Sequence, residues 1–368
     1  MSANNPAKYF AGLDTLRGAA ATAVVVHHLD CAMTLFGLRD HHPFKRLMGW
    51  ECDFGVTAVS FFFVLSGFLI TYLLLVEKQR NGDVSVRGFY WRRILRIWPA
   101  YYFVVLTAFF VVPRLEFLQS PESVHLHELF GFKLAVFLLF LPNLATVYQY
   151  WIYPIVAGAG QLWTIGVEEQ FYAIWPWAAK KVKNPYALTV GALFVVWGLT
   201  RLLHLVPTVF GPSAWASAAV SFCWGFLRSE LPVGAVFAVL YLKKPRFYPV
   251  LTHPATVGWA LLATFNHFWR VVDWESSMAL YAAFAVLILR VVEGPPAWLR
   301  IPVFEYLGKT SYAIYMLHYF VVYAAVNLLK GADLAWIYAA AVTGTFVVAI
   351  GFYEGVEKPI LRHKHRVR

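Results

Sequence analysis

The sequence predicts an all-α, polytopic transmembrane helix bundle, and three observations lead there. Of its 368 residues, 60% are hydrophobic and only 14% are charged. A soluble domain carries about 25% charged residues, so this chain has too few to cover a water-facing surface. Uncharged apolar runs recur along its length, at Phe54–Val76, Ile97–Pro113, Tyr186–Thr200 and Ala335–Tyr353. Runs of about 18 to 20 such residues read as membrane-crossing helices. Basic residues gather between the runs rather than being spread among them. The net charge of +11 therefore speaks of orientation in a membrane and not of nucleic-acid binding.

The clusters set the topology. Lys78, Arg80, Arg87, Arg92, Arg93 and Arg96 fill one connection; Lys180, Lys181 and Lys183 another; Lys243, Lys244 and Arg246 a third; and the tail EKPILRHKHRVR a fourth. Placing all four on the cytoplasmic side satisfies the positive-inside tendency and demands an even number of crossings between neighbours. The spans then read as 14–36, 54–76, 97–113, 162–179, 186–205, 218–242, 250–269, 277–293, 303–329 and 336–356, about ten, with both termini cytoplasmic. The segment FKLAVFLLFLPNL, 132–144, is short and broken by Pro142. Counting it would invert every later loop, so it is expected to be a re-entrant or interfacial helix on the outer side. The first span lacks a signal-peptide pattern and is expected to be uncleaved. The whole chain, 1–368, reads as one integral membrane domain. Cys31, Cys52 and Cys223 have no metal spacing, and no metal is expected. Cys31 and Cys52 fall near the outer ends of two helices but are expected to remain separate thiols.

Three constellations carry candidate chemistry. Arg17 and His28 lie eleven residues apart, about three helical turns and roughly 16 Å, and so share one helix face. The bland reading is a snorkelling arginine and a satisfied core histidine; the functional one is a titratable imidazole placed deep in a membrane site. His27 is about 100° away on the helix. Arg92, Arg93 and Arg96, just before Trp98 and Pro99, either anchor the third span at anionic headgroups or grip a phosphorylated ligand with paired guanidinium N–H groups. Glu168 and Glu169 stand inside an aromatic-rich span. Carboxylates at that depth need a cation partner or a proton: they pair with an arginine, position His28, or contact substrate hydroxyls. Ser66–Gly67 reads mainly as a helix-packing contact, and Ser311, Tyr315 and His318 read as mostly structural. Arg228 and Glu230, and Arg201 and His204, are expected to pair among themselves or with these groups.

Taken together, the blocks LDTLRG (13–18) followed by His27–His28, FFFVLSGFLIT (61–71), FYWRRILRIWPAYY (89–102) and LWTIGVEEQFYAIWP (162–176), with the late SYAIYMLH and VEKP, resemble the acyltransferase-3 family of integral membrane O-acyltransferases. The resemblance runs over nearly the whole chain, with Thr15 where the family often has glycine. It implies about ten spans and an acyl-CoA co-substrate, commonly acetyl-CoA, taken from the cytoplasm. It also implies an acceptor hydroxyl on an envelope carbohydrate or lipid-linked glycan (exopolysaccharide or O-antigen), or a small metabolite. Carried over, His28 is the essential histidine with Arg17 its companion, Arg93 and Arg96 match paired arginines, and Glu168 or Glu169 matches a glutamate motif. The fused esterase-like domain of some members is not expected here. On these grounds catalysis is expected at His28, Arg17, Glu168 and Glu169, acyl-CoA binding at Arg92, Arg93, Arg96 and Arg17, and residence in the cytoplasmic (inner) membrane, in contact with its lipids. The competing class is a proton-coupled secondary transporter, since intramembrane carboxylates and histidines suit one as well.

Overall fold

The computed structural model describes residues 9–39, 46–47, 50–51, 54–144, 156–211, 213–269 and 277–365. It is helical almost throughout: among the described residues the sole strand pairing is Arg46–Leu47 against Trp50–Glu51. The principal helices are α1 (Ala11–Leu35), α2 (Phe54–Asn81), α3 (Val86–Leu106), α4 (Phe130–Leu138), α5 (Leu162–Lys181), α6 (Pro185–His204), α7 (Ala214–Phe226), α8 (Glu230–Lys243), α9 (Pro254–Trp269), α10 (Ser277–Glu293), α11 (Pro302–Lys309), α12 (Ser311–Leu329) and α13 (Leu334–Phe352). Among the described residues, six helical segments are long and apolar enough to cross a membrane: Gly12–Leu35, Phe54–Asn81, Val86–Arg114, Pro185–Phe210, Ser311–Leu329 and Leu334–Leu361. The chain is a multi-pass membrane protein. Helices α5, α8, α9 and α10 stand at the other expected crossings but are shorter or more polar.

Three expected spans have different bounds. The third helix begins at Val86, not Ile97, because Ser85 accepts the Gly88 amide and caps its first turn. The three arginines are therefore inside the helix rather than ahead of it. The span expected at 218–242 is two helices, broken at Leu227–Ser229 where the Arg228–Glu230 ion pair sits at 2.5 Å. The span expected at 303–329 is divided at Thr310 into α11 and α12. The short helix expected at 132–144 is present as α4, and the hydroxyls of Tyr101 and Tyr102 bind its last carbonyls, Phe137 and Leu138.

Helix α2 is the hub. Its most apolar window is 78% buried within the protein, whereas that of Pro185–Phe210 is 6% buried. The second helix accordingly turns Phe194, Val195 and Leu202 outward, as a lipid-facing surface requires. Gly67 on α2 and Gly234 on α8 explain how the hub is built. A Cβ at Gly67 would overlap the Leu231 carbonyl, and a Cβ at Gly234 would overlap the Val64 carbonyl. The two backbones touch because neither residue has a side chain, which meets the packing expectation for Ser66–Gly67.

The basic clusters share one end of the bundle. Lys78 donates to the carbonyls of Ala179 (2.6 Å), Lys180 (3.0 Å) and Val182 (2.9 Å), covering the C-terminus of α5 where orphan carbonyls favour a cation. Lys180 pairs with Asp83 at 2.6 Å, and Lys244 with Glu293 at 2.8 Å. Phe10, at the start of α1, stacks edge-on with Tyr72 and Tyr241. We call this the basic end.

Candidate active site

Between α1, α2, α3, α5 and α12 lies a cavity of about 240 Å³, lined by Arg17, Arg93, Arg96, Ser66, Glu168, Tyr172, Ser311, Tyr312, Tyr315 and Thr164 among apolar neighbours. Five helices from distant parts of the sequence each supply a polar group. Arg17 is two turns into α1; its guanidinium donates to Asp14 at 3.2 Å and to Ser311 Oγ at 2.9 Å. Arg93 lies over the rings of Phe89 and Tyr172, 5.5 and 5.4 Å from their centroids. Arg96, one turn on, also lines the cavity. Glu168 is within hydrogen-bonding reach of Ser66 and Tyr172 and within electrostatic reach of Arg93 and Arg96, and the two hydroxyls bond each other. Three guanidiniums against one carboxylate leave the lining with an excess of positive charge, suited to a polyanion.

The neighbouring candidates part company. Arg92 points away and pairs with Glu77 at 2.9 Å; its side chain is 41% exposed. The expected three-arginine grip is therefore made by Arg17, Arg93 and Arg96; Arg92, about 100° from Arg93 on the helix, is drawn off by Glu77. The same rotation separates the glutamates. Glu169 does not line the cavity; it lies near Trp98, with one carboxylate oxygen buried and unpartnered among the described residues.

His28 departs from the expectation of one shared pocket. The cavity stops at Tyr315 and Thr164, whose hydroxyls are 2.8 Å apart, and Tyr315 also reaches the Gln161 carbonyl at 3.3 Å. His28 lies beyond this floor. Its Nδ1 is 2.9 Å from Nε2 of His318, one turn further along α12 than Tyr315, and the two imidazole planes are 24° apart with centroids 4.9 Å from each other. Tyr319 closes on His28 at 4.6 Å. His28 is half-buried, whereas His318 is fully enclosed. His27 turns aside to pack over Gly55 and contacts Cys31 Sγ at 3.6 Å.

Glu357 was not singled out in the sequence, where VEKP read as part of a basic tail. A π-helical turn, Tyr353–Glu357, carries it inward. Its carboxyl group is buried, is within electrostatic reach of Arg96 and Arg17, and has one oxygen without a partner among the described residues. The signal was available: a carboxylate that closes an apolar run. Arg228 and Glu230 pair with each other, as expected, with Ser60 also donating to Glu230 at 3.3 Å. Arg201 instead lies over Trp197, and His204 bonds the Thr200 carbonyl at 2.7 Å. Cys52 lies outside the described residues. Among the described residues, no cluster of histidine, cysteine and carboxylate side chains could hold a metal ion.

Comparison with known proteins fits this arrangement. The sequence profile of the acyltransferase-3 family, described as an acyltransferase domain, matches residues 10–354. The peptidoglycan O-acetyltransferase OatA of Listeria monocytogenes is 26% identical over 385 positions, covering 97% of this chain and 56% of that protein. The O-acetyltransferase OatA of Staphylococcus aureus (strain NCTC 8325) is 25% identical, covering 96% and 57%. A putative O-acetyltransferase of S. aureus (strain COL) is 24% identical, with the same coverage of 96% and 57%. The chain thus spans little more than half the length of these relatives. No solved structure matches it.

Proposed function

This chain belongs to the acyltransferase-3 family, and from that premise we propose that it is a membrane O-acetyltransferase moving acetyl from cytosolic acetyl-CoA to a hydroxyl of an envelope carbohydrate. The observation that carries the reading is the convergence of Arg17, Arg93 and Arg96 on a cavity that reaches from the basic end toward His28. A soluble donor with several phosphates needs paired cationic donors near the cytoplasmic face. A carbohydrate acceptor is favoured by the likeness to the Listeria peptidoglycan O-acetyltransferase. Ten crossings, cytoplasmic termini and residence in the cytoplasmic membrane belong to the same reading, because they put the basic end where acetyl-CoA is.

In this mechanism the CoA phosphates rest against the three arginines and the pantetheine arm threads past Glu168 and Tyr172. A cavity of about 240 Å³ is below the usual range for a whole drug-sized ligand, so the nucleotide stays at the mouth. The thioester reaches His28 when the Tyr315–Thr164 floor parts. His28 Nε2 takes the acceptor's hydroxyl proton as the oxygen attacks the thioester carbonyl carbon. The tetrahedral intermediate collapses, the C–S bond breaks, and the imidazolium returns its proton to the departing thiolate. The acceptor leaves as an ester and CoA as a free thiol.

The test uses purified full-length protein in liposomes, with radiolabelled acetyl-CoA and an envelope glycan fraction. Label should enter the glycan as an alkali-labile ester. His28→Ala should lower turnover by about 10²- to 10⁴-fold, the range for loss of a general base, while acetyl-CoA still binds. Full activity in His28→Ala, or no ester with wild-type protein, overturns the reading.

A further inference from the structure

His318 was read as structural in the sequence, yet the geometry points to a role in the reaction. We propose that His318 is the positioning residue that fixes His28 in the tautomer able to act as a base. The proposal rests on His28 being the catalytic base, as above.

The argument follows the donors. Nδ1 of His318 is 2.7 Å from the Tyr315 carbonyl oxygen. A carbonyl only accepts, so the proton must be on His318 Nδ1. Neutral imidazole carries one N–H, which leaves His318 Nε2 as an acceptor. That acceptor is 2.9 Å from His28 Nδ1, so the His28 proton must be on Nδ1. Nε2 of His28 then carries the lone pair.

A main-chain carbonyl thus sets a hydrogen-bond chain: Tyr315 carbonyl, His318, His28, substrate. The carbonyl cannot change its polarity, so the whole chain has one direction. His318 is enclosed, at 0% exposure, and cannot itself touch the acceptor. It acts through its neighbour, as the third member of a nucleophile–base–orienter arrangement does. The two imidazoles lie edge to edge with their planes 24° apart, so the bond between them also holds the plane of His28, and with it the direction of its lone pair. The same turn of α12 therefore does two things: the Tyr315 hydroxyl closes the cavity floor, and the Tyr315 carbonyl orients the base beyond it.

The decisive experiment separates hydrogen bonding from packing. His318→Phe keeps an aromatic ring but removes the acceptor; His318→Gln keeps an acceptor oxygen near the position of Nε2. Acetyl transfer is assayed as above, with acetyl-CoA affinity measured separately by calorimetry. Turnover in His318→Phe should fall by about tenfold to a hundredfold, the scale on which loss of a histidine's orienting partner is felt. KM for acetyl-CoA should stay within about twofold, because the donor cavity is untouched. His318→Gln should recover most of the lost turnover, and adding His318→Phe to His28→Ala should cost nothing further. Wild-type turnover in His318→Phe, or a glutamine variant no better than phenylalanine, makes His318 a packing residue and overturns the proposal. Retained activity in His28→Ala removes the base itself and so is a different failure. Should the phenylalanine variant not fold, His318→Leu supplies the acceptor-free protein.

Discussion

The arginine-lined cavity and the histidine pair are neighbours built on opposite principles. At the cavity, Arg93 rests on aromatic faces, and near its arginines Glu357 keeps a carboxylate oxygen without a partner among the described residues. Beyond the floor, His28 and His318 form a neutral pair whose hydrogen bonds run in one direction from a backbone carbonyl. Charge in excess invites a polyanion and holds it by Coulomb attraction; a neutral ordered pair is ready to receive one proton. On the proposed mechanism, donor binding belongs to the cavity and proton transfer to the histidine pair, and the contact of Tyr315 with Thr164 stands between them.

The largest effect that could break this division comes from the arginines. Arg93→Ala and Arg96→Ala each remove charge-assisted hydrogen bonds worth about 1.5–3 kcal/mol, so KM for acetyl-CoA should rise roughly tenfold to a hundredfold. Arg92→Ala should change it by less than about fivefold, because its half-exposed pair with Glu77 is of the kind worth about 0–1 kcal/mol. Steady-state kinetics on the three variants decides the matter: equal effects at Arg92 and Arg93 would mean that the cavity does not select the donor. A smaller effect sharpens the partition. Tyr315→Phe loses hydrogen bonds to Thr164 and to the Gln161 carbonyl, each worth about 1 kcal/mol net. Carbethoxylation of His28, followed by mass spectrometry, should then run about fivefold faster; an unchanged rate would remove the floor as a barrier. The smallest effect concerns the frame. Gly67→Ala drives a methyl group into the Leu231 carbonyl and should cost about 1–3 kcal/mol, seen as several degrees in thermal unfolding. Gly191→Ala, with open space around it inside α6, should not lower the unfolding temperature, because alanine suits a helix interior better than glycine.

Much of this arrangement could be read from the amino acids. Apolar runs and basic clusters located the helices, and the eleven-residue spacing put Arg17 and His28 on one face of α1. What could not be read depends on rotation and contact between helices. Arg92 and Arg93 are adjacent in sequence, and only the placement of α3 against α2 and α5 decides which one enters the cavity. Glu168 and Glu169 divide in the same way. The partition was illegible because Tyr315 and Thr164 are 151 residues apart and neither is unusual in a membrane helix. His318 was read as structural since a lone histidine on an apolar helix usually is, and its partner lies 290 residues away. The break at Leu227–Ser229 escaped notice because Arg228 and Glu230 neutralise each other within an otherwise apolar stretch.

The seating of Gly67 and Gly234 has a mechanical consequence. Two backbones in atomic contact cannot slide past one another without a collision, so α2 and α8 behave as one stiff spine. On the proposed mechanism, room for a thioester would then come from elsewhere than this seam, and the Tyr315 ring, whose hydroxyl bridges to Thr164 and the Gln161 carbonyl, is the side chain whose turning about its Cα–Cβ bond would open the floor.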